Sequence, residues 1–175
     1  MYALLDALEE LEKFINMGGP ILLVIGAALL VMWTLIFERI WYFKTSLKKD
    51  VQSALTEWEA RSERNSHRAH QVREMLISEV SVKVDFNMGM VKTLVALAPL
   101  LGLLGTVTGM IAVFEVLAIT GGGDARSMAG GVSQATIPTM AGMVAALSGV
   151  FGDTYINRVA TREKQLLADH LTMDH

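Results

Sequence analysis

The side chains that could carry chemistry inside the most apolar parts of this sequence are hydroxyls. They are Thr106, Thr108, Thr136, Thr139 and Ser148. No Asp, Glu, His, Lys or Arg lies near the centre of any apolar stretch, since Glu115 ends the second stretch and Asp153 the third. Proton transporters usually need an ionisable group in the membrane, to hold the proton between its two exits. A proton-moving role would therefore need an ionisable group that these stretches do not contain.

Two helical stripes of small residues carry one hydroxyl each. At 100° per residue, the members of each stripe fall on one arc of roughly 80–100°. The first stripe is Ala98, Gly102, Gly105, Thr106, Gly109 and Val113, and the second is Ala135, Thr139, Gly142, Ala146, Gly149 and Asp153. Lipid tails do not require small residues, whereas a close-packed neighbouring helix does. The stripes therefore predict tightly packed interfaces, with Thr106 facing something other than lipid.

The hydroxyls of Thr106 and Thr139 have two interpretations. Each could bond back to a carbonyl of its own helix, as is common in transmembrane helices. Each could instead face something other than lipid and serve a function there. The residue pattern by itself leaves both interpretations open.

Three apolar stretches position these side chains. The longest uncharged run between Lys92 and Glu115 has 22 residues, enough to cross a bilayer as a helix. Met17-Gly-Gly-Pro20 is expected to break the chain before the first stretch. The predicted segments are an amphipathic helix (1–17), transmembrane helix 1 (18–43), a polar helical hairpin (44–92), transmembrane helix 2 (93–117), a glycine-rich turn (118–132), transmembrane helix 3 (133–155) and a charged helical tail (156–175).

Composition places the chain in the membrane and excludes several other classes. Of its 175 residues 52% are hydrophobic, and its mean hydropathy of +0.41 is too high for an ordinary soluble domain. It has no cysteine, and the pair His67 and His70 has no carboxylate cluster beside it, so neither a metal site nor a cofactor is predicted. A pI near 5.8 without a basic stripe argues against nucleic acid. No nucleophile–base pair can be assembled, so an enzyme is not expected.

Lysine and arginine predict the orientation. The hairpin side, counted from Arg39 at the end of the first span, and the C-terminal tail carry 13 of the 15 basic residues, leaving Lys13 and Arg126 for the other side. The positive-inside rule then makes the hairpin and C-terminus cytoplasmic and the N-terminus periplasmic. Residues 1–17 lack the basic start and apolar core of a cleavable signal peptide, so the first span is expected to be retained.

Two motifs resemble the ExbB/TolQ/MotA proton-channel family. The segment 98–109 (APLLGLLGTVTG) is similar to the family's second-helix signature, and 131–146 (GVSQATIPTMAGMVAA) is similar to its third-helix segment. The resemblance implies that these helices line a central cavity of an oligomer. It also implies that the titrating aspartate belongs to a partner's single transmembrane helix, with Thr106 and Thr139 as the paired hydroxyls beside it.

The sequence departs from the family pattern at both ends of the third helix. Gln134 stands where family members often carry glutamate, so an outer carboxylate would have to be Glu115 or Asp124, unless water alone suffices. At the inner end, Asp153 and Thr154 replace a frequent asparagine. Glu115, Gln134 and Asp153 are therefore the candidates for the entrance and exit of a proton path.

Within the family, the short hairpin and three spans look most like a short ExbB. The resemblance implies an all-α ring, expected to be a pentamer, around an ExbD-like partner in the bacterial inner membrane. Such a complex would use the proton-motive force to energise a TonB-like protein and import across the outer membrane. The alternatives are a TolQ-like stator for envelope integrity and a passive membrane scaffold through which no proton moves.

Overall fold

The computed structural model describes residues 2–61, 63, 66–121 and 125–171. All regular secondary structure within these residues is helical. The helices are α1 (Tyr2–Thr45), α2 (Leu47–Glu59), α3 (His67–Asp85), α4 (Met88–Thr120) and α5 (Ala125–His170). The expected all-α architecture is confirmed.

Three helical stretches in the described residues are long and apolar enough to cross a membrane. They are Met17–Thr45, His67–Ile119 and Met128–His170. A span needs about 20 predominantly apolar residues, and each of these stretches contains such a run. The chain is therefore a membrane protein with three apolar helices, as its hydropathy predicts.

A break interrupts α1 at Gly19. This residue has φ 67° and ψ −169°, a backbone conformation open to glycine but costly for residues with a side chain. Pro20 follows, and because proline has no N–H it cannot donate to the carbonyl four residues before it. The Gly-Gly-Pro sequence thus places a bend at the start of the first apolar stretch.

The helices divide into two compact units. The first, called the apolar unit, consists of residues 1–32 and 93–150, and the second, called the hairpin unit, of residues 33–92 and 151–175. The core of the apolar unit is Ile25, Ala98 and Ala145, with the side chains of Ile21, Leu29, Leu101 and Ala146 packed against it. Small residues predominate on α5 here, which brings its backbone close to its neighbours.

In the hairpin unit, α2 and α3 present apolar faces at helical spacing. Leu47, Ala54 and Trp58 are buried on α2, and Ala69, Leu76, Val80 and Val84 are buried on α3. Ser66 caps the start of α3 by accepting a hydrogen bond from the N–H of Ala69 at 3.3 Å. These faces account for the hydrophobic periodicity of the hairpin.

One arginine of the hairpin unit is buried. Arg39 is 3% exposed, and its guanidinium donates to both carboxylate oxygens of Glu38 at 2.8 and 2.6 Å and to the Lys83 carbonyl at 2.9 Å. It also lies 4.7 Å from the centre of the Tyr42 ring and 5.4 Å from that of Phe86. A buried charge needs such partners, so this adjacent acid–base pair serves structure.

A second polar cluster of the hairpin unit joins α1, α2 and α3. The Tyr42 hydroxyl donates to Asp50 at 2.7 Å, and the Lys83 ammonium lies 3.2 Å from the other carboxylate oxygen. The hydrogen bond from Tyr42, with a smaller contribution from Lys83, holds the pKa of Asp50 below its usual range. Asp50 is therefore expected to be ionised at neutral pH.

Replacing Arg73 by alanine is expected to loosen the end of α5. Its guanidinium donates to the carbonyls of Ala168 and Leu171 at 2.8 and 2.6 Å, satisfying acceptors that a helix end leaves without partners. Loss of these charge-assisted bonds should cost about 1–3 kcal/mol. Amide hydrogen exchange of the detergent-solubilised chain should then accelerate around residues 167–171. The exposed Arg68 on the same helix is the control, and equal exchange in both variants would contradict the assignment.

Candidate functional site

The two stripes of small residues meet each other within the chain. A Cβ atom added to Gly142 would lie 2.5 Å from the Ala98 carbonyl oxygen, and one added to Gly102 would lie 2.9 Å from the Thr139 Cα. An added carbon this close to a backbone atom would clash, so the two helices can approach each other this closely only where the residue is glycine. The predicted close packing of α4 and α5 is thus a direct contact between their main chains.

The same contact continues towards the end of α4 and the start of α5. A Cβ on Gly109 would lie 2.6 Å from the Ala135 Cα, and Gly105 faces the ring of Pro138. Beyond them Val113, which is buried, fills the space beside Gly131. The whole first stripe except Thr106 is buried in this way.

At the opposite end of the stripes, α1 joins the contact. A Cβ on Gly149 would lie 2.5 Å from the Met32 sulfur and 2.7 Å from a methyl group of Val95. Ala146 is half-buried and packs against the core that includes Ala145. Helix packing within the chain therefore accounts for the small residues, while a pore-lining role for them stays a prediction.

The two candidate hydroxyls have different partners. Thr106 Oγ1 donates to the carbonyl of Leu103 in its own helix at 2.6 Å, as the alternative interpretation expects, though three residues back. Thr139 Oγ1 instead donates across the helix contact to the Gly102 carbonyl at 3.0 Å. Gly102 lies one turn before Thr106 on α4, so both hydroxyls belong to the same stretch of the α4–α5 contact. Both side chains are half-buried.

The candidates for the ends of a proton path have three different settings. Glu115 is exposed near the end of α4, whereas Gln134 is half-buried beside the break in α1, with its Nε2 3.3 Å from the Cβ position of Gly19. Asp153 is half-buried, and its Oδ1 is buried without a hydrogen-bond partner among the described residues. Asp124, the other acid considered for the outer end, lies outside the described residues.

One feature of the apolar unit was not predicted from the sequence. A cavity of about 290 Å³ lies between the break in α1 and helices α4 and α5. Thr108 and Gln134 supply the polar side chains of its wall. The sequence signal nearest to it is the Gly-Gly-Pro break, which predicts a bend but not the space beside it.

No cluster of three or more His, Cys, Asp or Glu side chains that could hold a metal occurs in the part of the chain that the structure describes. Residues 93–114 and 128–150, which form the apolar parts of α4 and α5, contain no Asp, Glu, His, Lys or Arg. The site therefore consists of two hydroxyls in a small-residue helix contact. It can offer hydrogen bonds but not a proton of its own at neutral pH.

Several known proteins are similar in sequence to this chain. Residues 42–169 match the family described as the MotA/TolQ/ExbB proton channel family. A Synechocystis sp. protein named putative biopolymer transport protein ExbB-like 1 is 52% identical over 61 residues, covering 33% of this chain and 24% of that protein. The biopolymer transport protein ExbB of Xanthomonas campestris pv. campestris is 32% identical over 83 residues, covering 47% of this chain and 33% of that protein.

The matched segments span well under half of the length of these relatives. The family match is broader, because it extends from the end of the first apolar stretch almost to the end of α5. It includes Thr106, Thr139 and the glycines that join α4 to α5. The chain belongs to the MotA/TolQ/ExbB proton channel family.

Proposed function

We propose that this chain is the pore-forming subunit of an ExbB-like inner-membrane complex driven by the proton-motive force. Copies of the chain form a ring, expected to be a pentamer, whose second and third apolar helices face an axial cavity. An ExbD-like single-span partner places its transmembrane aspartate in that cavity. The complex energises a TonB-like protein and thereby import across the outer membrane. The N-terminus lies in the periplasm, and the hairpin and C-terminus lie in the cytoplasm.

The observation that carries this proposal is the pair of hydroxyls in spans without a central ionisable side chain. Between Pro20 and Phe37, residues 93–114 and residues 128–152, the sequence has no group that could hold a proton at neutral pH. A channel built from such spans must take its titrating group from a partner. In a member of a proton-channel family, Thr106 and Thr139 are the groups suited to meet it.

The hydrogen bonds of the two threonines suggest how they would serve the partner's carboxyl. Each hydroxyl proton is engaged by a backbone carbonyl, Leu103 for Thr106 and Gly102 for Thr139. Each oxygen keeps lone pairs that can accept a hydrogen bond from a protonated carboxylic acid. Rotation of the threonine side chain about χ1 would release the hydroxyl proton from the backbone carbonyl, so that it could be donated to the ionised carboxylate. One side chain can therefore serve both protonation states.

A passive scaffold is the second candidate, and the helix contact itself favours it. The contacts of Gly102, Gly109 and Gly142 lie within a single subunit, which is all that a scaffold requires. Proton flux distinguishes the scaffold from both channel functions. A TolQ-like stator would share the channel mechanism, and the identity of the co-purifying partner distinguishes it from an ExbB-like subunit.

Liposomes that contain this chain alone are expected to leak little acid. An apolar cavity without an ionisable group strongly disfavours a charge. Adding the co-purified single-span partner should raise the proton flux at least tenfold, and Asp→Asn in the partner's transmembrane helix should remove the increase. The flux is measured with a pH-sensitive dye trapped in the liposomes.

Empty liposomes and liposomes with the partner alone are the controls. Strong, selective proton flux from this chain by itself would show that the titrating group had been assigned to the wrong protein. An assembled complex that carries no flux in either form of the partner would favour the scaffold.

A further inference from the structure

The cavity of the apolar unit extends from the break in α1 to the middle of α4. Its walls are Gly18–Ile21, one face of α4 from Gly105 to Ala112, and Gln134 of α5. Gly105 lies close to the midpoint between Lys92 and Glu115, the charges that bound the apolar run of α4. The cavity therefore connects the start of the first apolar stretch with the centre of the second.

The polar groups of this wall suit water. Gln134 contributes two N–H donors and a carbonyl oxygen, and its amide lies beside Gly19. Thr108 Oγ1 donates to the carbonyls of Leu104 and Gly105, both at 3.1 Å, and keeps lone pairs to accept hydrogen bonds. A bound water needs two to four such partners.

The size of the cavity fits several water molecules. Its volume is about 290 Å³, and one water molecule occupies about 30 Å³ in the liquid. No charged side chain lines it among the described residues, so a cation would find no counter-ion there. Neutral donors and acceptors around a space of this size are a setting for a short chain of hydrogen-bonded water.

We propose that the cavity is a hydrated vestibule through which water, and with it protons, reach the centre of the membrane from the periplasmic side. The direction rests on the proposed function, whereas the hydration rests on the cavity alone. The inner end of the vestibule at Gly105 faces Pro138, the residue before Thr139, and Gly105 precedes Thr106. The vestibule thus ends at the α4–α5 contact, one residue along the chain from each of the two threonines. A neutral glutamine suffices at its wall because water, rather than a carboxylate, carries the proton.

Cysteine labelling tests the hydration, since the native chain has no cysteine. Thr108→Cys and Ala112→Cys place a thiol in the vestibule. Val107→Cys and Phe114→Cys, at matched depths, replace side chains that are 52% and 62% exposed on α4 but do not line the cavity. Intact cells receive the membrane-impermeant reagent trimethylammonioethyl methanethiosulfonate. We expect the two vestibule thiols to react at least tenfold faster than the two controls.

Equal, slow labelling of all four thiols would overturn the proposal, as would vestibule thiols that react only with a lipid-soluble maleimide. A filling variant tests the proton route. Ala112→Trp should lower the labelling of the Thr108→Cys variant and the partner-dependent proton flux at least fivefold, while Phe114→Trp should change neither. Normal flux through a filled vestibule would overturn its role as a proton route. A complex without flux in any variant would instead defeat the proposed function, while the labelling contrast still decides the hydration.

Discussion

Valine in place of Gly142 is expected to prevent stable assembly of the chain in the membrane. Even a single Cβ atom at this position would lie 2.5 Å from the Ala98 carbonyl oxygen and 3.1 Å from the Gly102 Cα. Both are backbone atoms, so relief requires the whole of α4 to move. Overpacking of this kind lowers the free energy of unfolding by about 3 kcal/mol or more, which is roughly a 150-fold change in the folding equilibrium constant. Immunoblots of membrane fractions and thermal melts in detergent should both show the loss.

Gly130→Val on the same helix is the matched control, because a Cβ there meets nothing within 4 Å. It adds the same side chain to α5 without touching α4, so accumulation and melting should stay near those of the unmodified chain. Gly142→Ala should fall between the two, since the first added carbon already meets Ala98. A Gly142→Val variant that accumulates and melts normally would show that α4 and α5 are further apart than their glycines indicate.

Much of the fold could be predicted because it depends on local patterns. Uncharged runs of sufficient length predict the spans, and Gly-Gly-Pro predicts the break that Gly19 makes with its positive φ. The small residues of the two stripes predict close helix packing for the same reason, since their spacing is a property of one helix. These features need no knowledge of how distant segments meet.

The partners of each stripe could not be predicted, because periodicity fixes a direction only relative to the helix's own axis. The sequence is equally compatible with stripes that face a cavity between subunits and with stripes that face each other. The structure places Gly102 against Thr139 and Gly109 against Ala135. It also gives the two threonines, which looked equivalent, different roles: one bonds within its helix and the other across to α4.

The cavity at Thr108 could not be predicted from the sequence either. Thr108 lies about 160° from Thr106 around α4, so helical periodicity alone makes it point away from the site. Thr108 and Gln134 line one cavity together with the break in α1, so their arrangement depends on how three separate helices pack. A cavity formed by three helices cannot be predicted from the residue periodicity of any one of them.

Replacing both Thr106 and Thr139 by valine is expected to lower the partner-dependent proton flux at least tenfold while leaving assembly intact. Valine keeps the shape of threonine but has no hydroxyl. An ionised carboxylate in an apolar cavity is strongly disfavoured unless hydroxyls or water bond to it. The lost bond from Thr139 to the Gly102 carbonyl should cost only about 0.6 kcal/mol, the mean for such bonds between membrane helices. Flux is measured in liposomes with the partner, and assembly by the yield of the co-purified complex.

Thr136→Val is the matched control for the hydroxyl itself. Thr136 Oγ1 donates to the Ser133 carbonyl at 3.1 Å, three residues back in its own helix, as Thr106 does to Leu103, but its side chain is exposed and outside both stripes. If hydroxyls in these helices act only through bonds to their own backbone, this variant should lose as much flux as Thr106→Val. If they serve the partner's carboxyl, it should conduct normally, and the double variant should lose more than either single one. A double variant that assembles and conducts like the unmodified chain would place the proton path elsewhere, and the two hydroxyls would then contribute only to helix packing.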